Sequence, residues 1–329
     1  MRSLPCMPKA TLPRVSGALR GCRDALSTSW ISGGNRSSSK NASSVLSSSP
    51  TITPGLRTFV DGKVDGPTIF FVHGWPDDHK MWDKQVAHLK DRYRCVTTDL
   101  PGFSVDDDHD DYGDGDHDDT EHKAELKKNG FTVDEIVERL ERTIEQAGNG
   151  SPVSIIAHDW GCTYSFLVEK RRPDLIKRMV ALDVGGAVEP SSVRLAFILS
   201  YHLWLIAAFR LGGPVGDAMA KSFALLVGAP SGSRVATARS CYPYYHWWKK
   251  KLDKTQEPMT ALMPKAPLLF LYGTAGYKGF LPFHADWWAK DVNKKEGSSS
   301  VAMTASKHWI TADQPDDLNR RIDAFLEKK

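Results

Sequence analysis

The stretch Val153-Ser154-Ile155-Ile156-Ala157-His158-Asp159-Trp160-Gly161-Cys162 decides how this chain folds. Val153 to Ala157 is a mostly apolar run of strand length, and Cys162 to Arg171 reads as a helix stopped near Pro173. Between them, Ala157 and Gly161 flank Asp159. A very tight strand-to-helix turn demands small residues there, because it leaves no room for larger side chains beside its apex. Asp159 would then stand above the sheet edge at a helix N-terminus, where the helix dipole favours an anion. A carboxylate in that place is already charged, so it can attack a saturated carbon by displacement. A serine would first have to lose its proton to a base. The expected product is an alkyl ester of Asp159, freed by an activated water. The plainer reading is that Asp159 caps the helix that begins at Trp160.

Outward from this turn the chain alternates short apolar runs with helical stretches. Strands are expected at Thr68–Val72, Arg94–Asp99, Met179–Leu182, Leu268–Tyr272 and Ser300–Met303. Val133 to Ala147 has helical spacing, and Pro315 opens a last helix through Phe325. Strands that are apolar throughout and separated by helices indicate an α/β fold, with a mostly parallel sheet and helices on both faces. The alternation fails between Ala187 and Leu262, which is helical, aromatic and punctuated by Gly and Pro. The expected organisation is a core of residues 55–186 and 263–329 with an inserted helical cap at 187–262. Leu195 to Leu211 is apolar, but Tyr201, His202 and Arg210 interrupt it. It is also short for a membrane span, so a cap helix and no transmembrane segment is expected.

Two loops complete the chemistry around Asp159. His73-Gly74-Trp75-Pro76 directly follows the first strong strand and would bring a backbone N–H over the nucleophile. With the N–H of Trp160 it would form an oxyanion hole. His308, after the last strand, comes after the nucleophile in chain order, as the base for the attacking water should. The acid that orients His308 has two candidates. Asp183 ends the strand beside the nucleophile strand, and Asp286 lies in a later loop, where it could simply start a helix at Trp287. Asp183 is preferred, because such triads are defined by geometry and not by sequence position.

Composition limits the alternatives. The chain has 329 residues, 41% hydrophobic and 25% charged, ample for a large buried core. Residues 1–50 hold seven Lys/Arg and one acid, a balance of +6. The net charge is +3, so the remainder carries 3 − 6 = −3, which implies no basic face and no nucleic-acid partner. The five scattered cysteines form no CxxC pair and read as reduced thiols. Residues 1–54 form an Arg- and Ser-rich segment that suits a mitochondrial or plastid transit peptide. An untargeted disordered tail on a cytoplasmic protein is the other reading. The Asp/His-rich run at 106–119 lacks the spacing of an EF-hand loop and reads as a solvated acidic stretch, with no metal site.

From about residue 55 onward the chain resembles the α/β-hydrolase superfamily, and within it the epoxide hydrolase branch. His73-Gly74-Trp75-Pro76 resembles that branch's His-Gly-x-Pro motif, and Ala157-His158-Asp159-Trp160-Gly161 resembles its Gly-His-Asp-Trp-Gly elbow. Asp99-Leu100-Pro101-Gly102-Phe103 is similar to its post-strand turn, and His308-Trp309 to its Gly-His-Trp ending, with Lys307 in place of Gly. The resemblance implies an α/β-hydrolase fold and an activity that opens an epoxide to a vicinal diol. It implies that two cap tyrosines hold and protonate the epoxide oxygen. Tyr201, in Tyr201-His202-Leu203-Trp204, resembles the first. Tyr244 is preferred as the second, with Tyr245 and Tyr242 behind it. The loop after Tyr272 has no acid where this branch usually carries one, and Asp183 resembles the acid site of some haloalkane dehalogenases. Those enzymes bind halide with two N–H donors, for which Trp160 and Trp75 would serve. A dehalogenase is therefore the alternative enzyme, and a non-catalytic binding protein is a third reading. The expected ligand is a small hydrophobic molecule, and no cofactor is needed. The sequence does not disclose an oligomeric state.

Overall fold

The computed structural model describes residues 55–103, 129–253, 261–279 and 281–328. The transit-peptide reading of residues 1–54 and the acidic run at 106–119 lie outside the described residues. Seven strands form one sheet: β1 (Thr58–Gly62), β2 (Thr68–Val72), β3 (Arg94–Thr98), β4 (Val153–His158), β5 (Ile176–Leu182), β6 (Leu268–Gly273) and β7 (Ser299–Met303). Their order is β1-β3-β2-β4-β5-β6-β7, and only β1, on β3, runs antiparallel. This edge strand was not expected from the sequence. It is mostly exposed, so it lacks the continuous apolar run that marks the others.

Successive side chains of a strand point to opposite faces. Phe70, Val72, Ile155, Ala157, Met179 and Ala181 pack on one side with α2 (Val133–Gly148), α3 (Trp160–Arg171) and α8 (Asp286–Lys294). Ile69, Phe71, Ile156, Val180 and Leu182 pack on the other with α1 (Asp83–Leu89), α9 (Ile310–Asp313) and α10 (Pro315–Leu326). Both faces are buried, which is why the strands read as unbroken apolar runs. Each fully buried Ile or Phe contributes about 1.5–3 kcal/mol. Helix α2 is started by a capping box between Thr132 and Glu135, a device that contributes about 1 kcal/mol.

Chain direction along the sheet reverses at β2: β3 lies on one side of it and β4 on the other. In parallel α/β sheets the loops at the carboxyl ends of such a pair splay apart and leave a crevice. The loops after β2 and β4 carry Trp75 and Asp159. Between β5 and β6 the described residues form α4 (Ser192–Leu211), α5 (Gly213–Val227), α6 (Gly232–Val235) and α7 (Tyr242–Leu252). Helix α4 has the length and composition to cross a membrane. It packs against α5 and α7, burying Ile198, Leu205 and Ala208.

Candidate active site

The turn after β4 has the geometry its sequence demanded. Asp159 sits at φ 53°, ψ −123°, a left-handed backbone that costs a non-glycine residue energy. Close packing holds it there. A side chain at Gly161 would collide with the carbonyl oxygens of Val72 and His73, and one at Gly74 would meet the Asp159 carboxylate. The helix-cap reading fails, since the Asp159 side chain makes no cap hydrogen bond. Its Oδ1 instead accepts the backbone N–H of Trp75 at 2.8 Å, and the backbone N–H of Trp160 also holds the carboxylate.

Its Oδ2 faces His308 Nε2 at 3.5 Å. The opposite ring nitrogen, Nδ1, lies 2.5 Å from Asp183 Oδ2. Asp183, another non-glycine residue at positive φ (68°), uses Oδ1 to accept the N–H of Gly273 at 2.9 Å. Of the two acids the sequence offers for orienting His308, the structure brings Asp183 to it. Asp286 is the first residue of α8, and no contact between it and His308 occurs among the described residues.

Two residues that the sequence reading passed over stand close to this relay. His158, fully buried, donates from Nε2 to the His308 carbonyl at 3.0 Å, and burial lowers it to about 4, so it is neutral. Lys278 is 1% exposed, and its Nζ lies 2.7 Å from Asp183 Oδ2. The sequence gives neither a role of its own: His158 enters only as part of the Ala157-to-Gly161 motif, and Lys278 not at all. His158 looks like the last residue of a strand, and Lys278 sits in a Gly-rich loop that drew notice only for lacking an acid.

The charges respond to this crowding. Burial pushes the Asp159 carboxyl up, but the hydrogen bond and charge of His308 pull it down further, and the net result is below its usual value. Burial likewise opposes ionisation of Asp183, and Lys278 and His308 outweigh it, holding the acid ionised. For His308 burial favours the neutral ring, yet the two carboxylates raise it to about 9. Burial lowers Lys278 from the ordinary lysine value, and Asp183, 2.7 Å away, opposes that shift. With this ion pair intact, the resting site is carboxylate–imidazolium–carboxylate–ammonium.

Above Asp159 is a cavity of about 1330 Å³. Tyr201, Tyr244, Trp75, Trp160 and His308 line it, as does Tyr277, another residue the sequence did not flag. Tyr244 meets Trp75 and Trp160 edge-on, with ring centroids 5.9 and 5.3 Å apart. Tyr201 stacks on Phe223 and contacts Tyr244 at a ring separation of 6.3 Å. Burial raises both phenols above their ordinary value, so both are protonated. The alternatives to Tyr244 are occupied elsewhere: Tyr242 packs on Phe103 and Phe131, and Tyr245 on Phe209 beneath Arg210. The loops are tied together by Asp77, which accepts the Trp309 indole N–H at 2.8 Å and the hydroxyl of Ser231 from the inserted helices.

Comparison with known proteins finds the same fold. Residues 67–219 match the family model described as alpha/beta hydrolase fold. Epoxide hydrolase 1 of Caenorhabditis elegans is 21% identical over 81% of this chain and 66% of its own length, so the chain spans just under two thirds of that relative. The cis-3-alkyl-4-alkyloxetan-2-one decarboxylase of Xanthomonas campestris is 28% identical over 84% of this chain and 94% of that protein. Potato epoxide hydrolase I superposes with a TM-score of 0.55 at 20% identity, covering 85% of this chain and 98% of that one. Haloalkane dehalogenase structures match with the same TM-score of 0.55, and at such identities the likeness is one of fold. The chain thus has the α/β-hydrolase fold, and in sequence and structure it is similar to epoxide hydrolases.

Proposed function

We propose that this protein is a hydrolase that opens an epoxide to a vicinal diol through an ester of Asp159. The pose of that carboxylate carries the reading: Oδ1 is held by the Trp75 N–H at 2.8 Å, and Oδ2 stands before His308 at the floor of an apolar cavity. Oδ2 attacks a ring carbon, the ring C–O bond breaks, and the departing oxygen takes a proton from the side of Tyr201 and Tyr244. Strain in the three-membered ring and this proton donor together make the alkoxide a workable leaving group. In the second half-reaction neutral His308 takes a proton from water as the oxygen adds to Cγ of the ester. The negative charge then gathers on Oδ1, under the N–H groups of Trp75 and Trp160. Collapse breaks the Cγ–Oδ2 bond, the proton on the added oxygen passes to Oδ2, and the diol leaves carrying that oxygen while His308 keeps the proton taken from water. Asp183 keeps the imidazole turned so that Nε2 faces the ester. In this reading residues 187–262 act as the cap that shapes the pocket, and a small hydrophobic molecule is the substrate.

Two neighbouring chemistries are alternative readings of the same site. The indoles of Trp75 and Trp160 beside Asp159 favour a dehalogenase as the second reading. The Tyr244 ring, packed edge-on against Trp160 in the wall of the same cavity, supports the epoxide instead, since it brings a phenol to the space above Asp159. The near full-length similarity to the oxetan-2-one decarboxylase adds a strained four-membered ring to the candidates. The non-catalytic reading rested on a missing acid, and the contact of Asp183 with His308 removes that support.

The test is a panel of styrene oxide-like epoxides, short haloalkanes and dialkyl oxetan-2-ones, with diol, halide and carbon dioxide followed together. Diol formation that disappears in Asp159→Asn is the expected result. Halide or carbon dioxide release without any diol overturns the epoxide assignment. A single turnover in ¹⁸O-water should label Asp159 and leave the diol unlabelled.

A further inference from the structure

Lys278 has no place in the reaction just described, yet it is buried against it. The residue belongs to the short 3-10 turn Gly276–Gly279 that follows β6. Its Nζ touches Asp183 Oδ2 at 2.7 Å, donates to the Leu281 carbonyl at 3.1 Å, and lies 3.7 Å from the centre of the Phe283 ring. The oxygen it touches is the one that also receives Nδ1 of His308. Two cations therefore share a single carboxylate oxygen, while the other oxygen is taken by the Gly273 N–H.

A buried site tolerates little net charge, because water is not there to compensate it. In the resting state Asp159 and Asp183 contribute −2, Lys278 contributes +1, and an imidazolium at His308 brings the sum to zero. Esterification removes the charge of Asp159. Asp183 and Lys278 then cancel, and neutrality requires a neutral imidazole. Without the Lys278 charge the ester state would be neutral only with His308 still protonated, and a protonated His308 cannot accept a proton from water.

We propose that Lys278 is a positioning residue that sets the proton count of the site: by sharing Asp183 with His308 it makes esterification of Asp159 release one proton from His308, leaving a base for the second half-reaction. The proton lost balances the one gained by the opened ring's oxygen, and hydrolysis of the ester returns it. This rests on the ester mechanism above. The other charged or titratable groups facing His308 do not serve this purpose. His158, on β4, is held neutral by burial, and Asp77, after β2, is pushed up by burial and faces Ser231 and Trp309. Tyr277 keeps its proton, also through burial.

The experiment titrates His308 by NMR of its imidazole in the intact protein, with Asp159→Asn as the charge equivalent of the ester. In Asp159→Asn the His308 pKa should fall well below the value of about 9 that two carboxylates impose. In Asp159→Asn/Lys278→Met it should stay higher than in Asp159→Asn by about one unit or more, the usual effect of a charge at this range. Lys278→Arg in place of Met should restore the lower value. In turnover, Lys278→Met should move the acidic limb of kcat upward by a similar interval and accumulate the Asp159 ester at neutral pH. Methionine keeps the length of the lysine stem. If it unfolds the protein, Lys278→Gln serves in the same comparison. An identical His308 titration with and without Lys278 overturns the proposal. The titration needs no substrate, so a His308 that responds as expected in a protein inert on every substrate supports the charge coupling and overturns the hydrolase reading instead.

Discussion

The two halves of the site are built in different ways. The nucleophile half is nearly contiguous. One strand, one strained residue and one helix present Asp159, and the neighbouring loop after β2 supplies the N–H of Trp75. The relay half is assembled from three separate strand ends. Asp183 comes from β5, Lys278 from beyond β6, and His308 from beyond β7, and the hydrogen-bonded pair is 125 positions apart in the chain. A contiguous device is fixed by local sterics, so its residue types are nearly dictated. A distributed device needs only a charge at a point in space, and any loop that reaches the point can provide it. That freedom is what lets an acid after β5 and a lysine after β6 stand where another arrangement would also have worked.

The sharpest way to break this comparison is to exchange the acids. Asp183→Asn should lower kcat by about 10³–10⁴, the scale on which a histidine loses its orientation and tautomer. It also leaves Lys278 without its counter-charge, so the melting temperature should fall as well. Asp286→Asn, at the start of α8, should change turnover less than about twofold. Equal rates for the two variants would mean that the relay is not the one assigned. A smaller effect is expected on the nucleophile side, and on stability. Gly161→Ala should cost about 2–3 kcal/mol in denaturant unfolding, because the added carbon meets two carbonyl oxygens that a packed sheet cannot move. A wild-type midpoint for that variant would show the turn to be looser than its geometry implies. A change of similar size in free energy concerns the cavity wall. Tyr244→Phe should slow ring opening by about 10², since Tyr201 still faces the same space, whereas Tyr242→Phe should have little influence on kcat. If both variants react alike, the choice of Tyr244 is mistaken.

Much of this was legible before any coordinates. Strand runs buried on both faces announce themselves as continuous apolar segments, and a tight turn must spell small-x-x-x-small around its apex. Asp159, its flanking Ala157 and Gly161, the parallel sheet, and the order of nucleophile before His308 all follow from such local rules. The edge strand β1 escaped because an exposed antiparallel strand need not be apolar. The acid was only a choice between two positions, and Tyr244 was one of three neighbouring phenols. Lys278 carried no signal, since a single lysine in a Gly-rich loop looks like a solvated surface charge. What placed it at 1% exposure against Asp183 was the approach of three strand ends. Steric rules act between neighbours in the chain and leave a trace in the sequence. Electrostatic partnership acts through space, and only the tertiary structure decides which charges meet.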